Sequence, residues 1–181
     1  MYHTRSDMVS KKENKKMYYT KFDTLFCEII LIGNEEGLSG LRRDIGEGRR
    51  CFDISDEWIM NDVFFENTAN QLKEYFRGKR QKFNVKLNPL GTDFQKRVWR
   101  HLGKIAYGEL CTYKEIAKAI GNEKASRAVG MANSKNPIPL VIPCHRVIGS
   151  NGSLTGFAHG LAIKEKLIHF ERTSLANSSE L

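Results

Sequence analysis

Asn136-Pro137-Ile138-Pro139-Leu140-Val141-Ile142-Pro143-Cys144-His145-Arg146-Val147-Ile148 is the stretch around which the chain is organised. Each proline holds its own φ near −65° and pushes the preceding residue towards extended backbone. Apolar residues flank the Cys-His pair on both sides, so the segment reads as a stiff, buried, non-helical strap that carries one thiol. A thiol attacks as its thiolate, and a nearby imidazole is a common means of forming one. Taken alone, the pair reads more readily as a buried structural cysteine beside an incidental histidine; its surroundings along the chain reverse that.

Downstream of the strap, Gly149-Ser150-Asn151-Gly152 is a turn and residues 154–160 form a glycine-punctuated loop. Leu161 to Glu171 then reads as an amphipathic helix with Leu161, Ile163, Leu167, Ile168 and Phe170 on its apolar side, and residues 173–181 as a polar tail. Glu171 at the end of that helix would be unfavourable beside the C-terminal dipole, which hints at a partner.

Upstream, Thr112-Tyr113-Lys114-Glu115 fits a capping box and starts a helix to Ile120. Gly121-Asn122 turns the chain, and Lys124 to Ala132 forms a second helix. Together they resemble a helix-turn-helix. The second helix is thin: Ala125, Ser126, Ala128, Val129, Gly130 and Ala132 are small or slim, and Arg127 is the long side chain in its middle. Further back, Thr92 and Gln95 form another capping box. Phe94, Val98, Trp99, Leu102 and Ile105 make an apolar stripe that belongs to the core, and Tyr107-Gly108 breaks the helix.

The first half has a different character. Residues 1–16 are lysine-rich and polar and read as a disordered tail, with Met17 an alternative start. Leu25 to Ile32 is a strand candidate, residues 33–37 a turn and Leu38 to Arg42 a returning strand. Residues 43–57 read as loop with a short strand around Cys51 to Ile54. Asn70 to Phe76 has helical periodicity, Gly78 stops it, and Gln81 to Leu87 alternates as a strand with Phe83, Val85 and Leu87 on one side. Asp53, Asp56, Glu57 and Asp62 look like solvated loop charges. Nothing here has catalytic spacing.

Charge is uneven. Residues 1–90 carry 16 basic and 14 acidic side chains; residues 91–181 carry 13 and 7, so most of the net +8 sits in the second half. That favours a polyanionic partner, nucleic acid first. Cys27, Cys51, Cys111 and Cys144 are far apart with no C-x-x-C or C-x-x-H spacing, which argues against a zinc site and for a reducing compartment. No apolar run approaches the ~18 residues of a membrane span.

The strap resembles the active-site signature of the O6-alkylguanine-DNA alkyltransferases. The likeness extends to Gly91-Thr92-Asp93-Phe94-Gln95 with Val98-Trp99, to Tyr113, to Ala128-Val129-Gly130, and to Gly160, Lys164 and Glu171. It is specific over residues 91–171 and looser over 17–88. It implies an RNase H-like α/β domain of a small sheet with a helix over 17–88, and a mainly α alkyltransferase domain with the helix-turn-helix over 91–172.

The resemblance also implies a single-turnover DNA repair protein, acting as a monomer on the minor groove of double-stranded DNA. It flips out O6-alkylguanine, and less well O4-alkylthymine, and keeps the alkyl group. Cys144 is then the nucleophile and acceptor. His145 is its base through a water, Glu171 orients the imidazole, Tyr113 donates a proton to the departing guanine and Asn136 braces the turn into the strap. Arg127 is the finger that fills the vacated stack, and Ala125, Ser126, Ala128, Gly130 and Tyr113 share the DNA face. Val147, Phe157, Ala158 and His159 line the substrate pocket, with backbone groups near Cys144, Val147 and Ala158 reading the guanine edge. Arg146 is a charge-setting neighbour.

No metal and no other cofactor is implied, since the transferred group arrives on DNA, and no membrane is involved. The cytoplasm is the expected location, or the nucleus in a eukaryote. Three positions depart from the family pattern: Phe157 stands for a tyrosine, His159 occupies a loop site that often holds glycine, and Ala106 replaces a proline. The alternative function is a lesion-recognition module that recruits repair factors without chemistry; the presence of Cys144 counts against it.

Overall fold

In the computed structural model, residues 16–24, 27–44, 54–158 and 160–178 are described. The expected tail over 1–16, save its last residue, and the short strand near Cys51 therefore lie outside the described residues, as does His159.

The N-terminal unit is a four-stranded sheet in the order β3-β2-β1-β4. β1 (Tyr18–Asp23) and β2 (Glu28–Asn34) pair antiparallel, β2 and β3 (Gly37–Asp44) likewise, and the two-residue β4 (Ile59–Met60) runs parallel to β1. β1 was not foreseen as a strand. β2 begins later than the apolar run suggested and continues through Asn34, so the turn shrinks to Glu35-Glu36. The central strand is covered on both faces: Ile29 and Leu31 enter the main core, while Ile30 and Ile32 are buried on the other side.

Helix α1 (Asp62–Phe76) is twice as long as its periodic segment implied. Asn61 caps it by accepting a hydrogen bond from the Phe64 amide. Phe65, Thr68, Leu72 and Tyr75 face inward. Asp62 is therefore no loop charge; it opens the helix and accepts a hydrogen bond from the Thr20 hydroxyl of β1.

The strand expected over Gln81–Leu87 does not form. A single bridge joins Leu87 to Leu38. The backbone finds another partner: the Gln71 side chain accepts from the Asn84 amide at 2.7 Å and donates to the Asn84 carbonyl at 3.0 Å. A helix glutamine thus does what a neighbouring strand would do. Phe83 and Val85 still pack on the core.

The second unit is mainly helical. α2 (Asp93–Leu102) and α3 (Tyr113–Ala119) start with the two capping boxes, both complete. A 3-10 turn (Glu123–Ala125) then leads into α4 (Ser126–Ser134), so the thin helix starts two residues later and runs two further than its composition indicated. The Trp99 indole donates to the Ala132 carbonyl at 2.8 Å and locks α2 to α4.

β5 (Cys111–Thr112) and β6 (Val147–Ile148) pair parallel in a second small sheet. α5 (Leu161–Ser178) continues into the expected polar tail. Its last turns are held by packing: Leu175 lies on the core, and a Cβ on Gly108, whose φ is +76°, would sit 2.4 Å from Leu175 Cδ1. One hydrophobic core joins both units, running from Leu31, Leu72 and Tyr75 to Trp99, Val129, Ile138, Cys144 and Val147.

Candidate active site

The strap is buried as expected, but it is not extended at its reactive end. The Cys144 amide donates to the Ile142 carbonyl at 2.8 Å across Pro143, whose φ of −80° and ψ of 67° are those of an inverse γ-turn. Cys144–Arg146 then make a turn of 3-10 helix. Extended backbone would point adjacent side chains apart; this turn fans Cys144, His145 and Arg146 out into one buried layer. Leu140, with φ of 72°, takes up the left-handed backbone that the proline-rich entry demands.

Five further hydrogen bonds anchor the strap. The Pro137 carbonyl accepts from the Leu41 amide and the Arg42 guanidinium of β3, at 2.9 and 2.8 Å. Asn136 closes a loop within the strap: its amide nitrogen donates to the Ile142 carbonyl at 2.7 Å, and its oxygen accepts from the Ile138 amide. Asn133 at the end of α4 donates to the Cys144 carbonyl. The thiol is thus fixed by both units.

Behind the thiol lies a saturated carboxylate. Glu171 Oε1 accepts from the Tyr75 hydroxyl (2.7 Å), His145 Nε2 (2.8 Å) and Arg146 Nη2 (2.9 Å). Oε2 accepts from Arg146 Nε (2.9 Å) and the Gly108 amide (3.0 Å). Burial alone would raise this carboxyl; the bonds from His145 and Arg146 outweigh it and hold it down at about 2. Arg146 also donates to the Ile105 carbonyl and lies over the Tyr107 ring. Glu171 sits mid-helix, two turns before the end of α5, so it owes its partners to burial and not to the end of the helix.

An ionised carboxylate only accepts, so Nε2 of His145 carries the proton and Nδ1 presents a lone pair. Nδ1 is buried with no hydrogen-bond partner among the described residues. Burial, together with Arg146 and Lys164, pulls the imidazole below its usual value against the opposing pull of Glu171. It is therefore neutral at physiological pH and able to take a proton.

Cys144 is 4% exposed, and burial drives its thiol up to about 11. The Asn136 side chain, the backbone amides of Cys144 and His145, and the Lys164 charge act in the opposite sense. The sulfur rests as a thiol, yet donors that would stabilise a thiolate already surround it.

Tyr113 reaches the same layer because β5 pairs with β6, and Tyr113 directly follows β5 as Val147 directly follows the 3-10 turn. Its hydroxyl donates to the Thr155 carbonyl at 2.9 Å. Lys164 Nζ donates to that same carbonyl at 2.6 Å and lies over the Tyr113 ring. Fully buried, Lys164 is lowered to about 8, chiefly by burial, with Cys144 opposing. Burial also raises Tyr113, and Cys144 adds to that, so the phenol keeps its proton.

The sequence places Lys164 in the family pattern without a role, and Tyr75 only within the helix-periodic segment over 70–76. A signal existed for the first: Lys164, Ile168, Glu171 and Leu175 are spaced along one helical face, and two charges on a buried face need partners. For Tyr75, no local signal exists, since its partner lies 96 residues away.

The remaining expected residues divide. Arg127 and Ala128 are exposed on α4, with Ala125, Ser126 and Gly130 half-buried beside them. Val147 is fully buried. Phe157 is half-buried and lines an apolar cavity of about 440 Å³ between the loop, α5 and the N-terminal sheet, with Ile29, Leu41, Leu140, Leu167 and Phe170 among its walls. Its ring thus faces the junction of the two units. Ala158 is exposed. Among the described residues no group of His, Cys, Asp and Glu could hold a metal ion, and no helix is long and apolar enough to cross a membrane.

Comparison with known proteins gives a consistent picture. Residues 17–89 match the model of the 6-O-methylguanine DNA methyltransferase ribonuclease-like domain, and residues 93–173 that of the DNA binding domain of the same group. A methylated-DNA–protein-cysteine methyltransferase of Methanosarcina acetivorans is 52% identical over 155 residues, 86% of this chain and 98% of that one. The constitutive Bacillus subtilis protein of the same name is 38% identical, over 87% and 96% of the two chains. The crystal structure of the Mycobacterium tuberculosis O6-methylguanine methyltransferase superposes with a TM-score of 0.78 at 39% identity, covering 87% of this chain and 94% of that one. A structure from the same organism in complex with DNA superposes at 0.77.

Proposed function

This chain belongs to the 6-O-methylguanine DNA methyltransferase family, and from that we propose that it repairs DNA by moving the alkyl group of an extruded O6-alkylguanine onto the sulfur of Cys144, once per molecule. O4-alkylthymine is a poorer substrate of the same reaction. The observation that carries this reading is the neutral His145, oriented by Glu171 with its Nδ1 lone pair free, one residue from a buried thiol.

The thiol proton passes to His145 Nδ1 through a bridging water, since no direct hydrogen bond joins the two groups. The sulfur then attacks the alkyl carbon in line, a C–S bond forms, and the C–O6 bond breaks with its electrons passing to the guanine ring. Tyr113 gives the ring a proton and so improves the leaving group. The imidazolium and the phenolate return to neutrality through solvent. Guanine is restored, the thioether is permanent, and no metal or organic cofactor takes part.

A thiol up near 11 is a poor nucleophile until its proton is removed. Its protein donors then stabilise the charge that appears in the transition state, which is where stabilisation accelerates the reaction. The exposed, narrow outer face of α4 suits close approach to the minor groove, with Arg127 entering the stack in place of the extruded base. Extrusion costs a few kcal/mol, less for a lesion that pairs badly. Arg97 and Arg100 on α2 and Lys104 just beyond it, exposed and without acidic partners among the described residues, add phosphate attraction. The protein acts as a monomer in the compartment that holds the DNA.

Incubation of the protein with duplex carrying O6-methylguanine, followed by intact-mass and peptide analysis, tests this. One methyl group on the Cys144 peptide is expected. Tight lesion binding without added mass would reduce the protein to a recognition module.

A further inference from the structure

Tyr75 stands outside every sequence motif of the site, on α1 of the N-terminal unit, yet it ends on the Glu171 carboxylate. It is fully buried. Its ring packs against Phe83, Phe170 and Tyr107, with centroids 5.4, 5.7 and 5.9 Å away. Two of these neighbours are phenylalanines, so packing alone would be served by a phenylalanine at 75. A hydroxyl taken into such a cluster is unfavourable unless it is bonded. This one donates to Glu171 Oε1 at 2.7 Å, the shortest of the five bonds that carboxylate accepts.

Oε1 is oversubscribed. A carboxylate oxygen offers two lone-pair directions, and three donors share this one: Tyr75, His145 and Arg146. What Tyr75 draws from Oε1 is withdrawn from His145. We propose that Tyr75 is a positioning residue for alkyl transfer, and that through it the N-terminal unit sets the basicity of His145. The inference rests on the reading of His145 as the base for Cys144.

The groups that face His145 are Glu171 and Lys164 of α5 and the adjoining Arg146; those that face Glu171 also include Tyr75 of α1 and Tyr107 with the Gly108 amide. Glu171 is the one anion among them, so its hold on the imidazole is the adjustable element. Removing the Tyr75 hydroxyl frees Oε1 to accept more strongly from Nε2. Protonated His145 is then better stabilised, and the base is lost at higher pH.

The test is the pH profile of single-turnover methyl transfer from O6-methylguanine duplex, for the full chain and for Tyr75→Phe, with the His145 ring titrated by NMR in both. In Tyr75→Phe the acid limb and the His145 midpoint move together to higher pH, and transfer on the acid side slows roughly three- to tenfold while the plateau is kept. A hydroxyl that serves only folding lowers the melting temperature or scales the rate equally at all pH and leaves limb and midpoint in place; that result, or movement to lower pH, overturns the proposal. If Tyr75→Phe does not fold, 3-fluorotyrosine placed at position 75, a stronger donor, moves the limb and midpoint to lower pH; no movement overturns it. A wild-type protein that transfers no methyl group at any pH removes the proposed function itself. An unmoved limb with normal wild-type transfer removes this inference alone.

Discussion

The Glu171 carboxylate and the Arg127 guanidinium are opposite ways of using a charge. Glu171 is 1% exposed and accepts five hydrogen bonds from four residues on three segments. Arg127 is exposed and has no partner among the described residues. The first charge is spent entirely inside the protein, where its value is the orientation of His145 and the neutralisation of Arg146. The second faces solvent, and its proposed use is on DNA. Substitutions should therefore separate cleanly: changes in the buried layer alter stability and chemistry together, and changes on α4 alter reaction with duplex alone.

Cys144→Ser should give the largest effect on chemistry and the least on the surface. Methyl transfer falls below detection by mass spectrometry, while DNA affinity by gel shift is retained; joint loss of both would show that the thiol layer and the α4 face are not separable. Glu171→Gln should slow transfer by about 10²- to 10⁴-fold by freeing the imidazole, and destabilise the fold by about 3–5 kcal/mol in urea melts because Arg146 stays buried without its counter-charge.

Acid should act on the same group. The folded-state carboxyl lies below its unfolded value, so its stabilisation is complete above pH ~4.5 and is lost as pH falls towards ~2, about 3 kcal/mol in all at ~1.36 kcal/mol per pH unit. Glu171→Gln should remove that part of the pH dependence of melting. Arg127→Ala should slow transfer from duplex by about 10- to 100-fold, in keeping with the few kcal/mol that extrusion requires. Its reaction with free O6-methylguanine and its melting temperature should not change.

The smallest expected effect joins the two regions. Gly156 has φ of +65°, and a Cβ there would lie 2.7 Å from the Tyr113 hydroxyl. Gly156→Ala should cost ~1 kcal/mol of stability from the backbone alone. By displacing Tyr113 from Thr155 it should slow transfer from free base and duplex alike, unlike Arg127→Ala.

Much of the molecule was readable in advance where the signal is local. Thr92 with Gln95 and Thr112 with Glu115 are capping boxes because three residues span one helical turn, and both formed. The motif around Cys144 marked the buried layer. Local periodicity failed where a distant side chain intervened. Gln71 took the hydrogen bonds that would have made Gln81–Leu87 a strand, and Leu175 on the Tyr107-Gly108 turn kept α5 helical where its composition reads as tail.

By itself the sequence determined which residue types are available for chemistry and how they are spaced: a thiol beside an imidazole, a slim helix with one arginine, a carboxylate on an amphipathic helix. The tertiary structure alone decided their states. Whether His145 is neutral, which of its nitrogens is free, and whether Glu171 stays ionised in the dark of the core depend on burial and on hydrogen bonds from Tyr75, Gly108 and Arg146. Those fields act through a few ångströms of space, and no distance along the chain measures them.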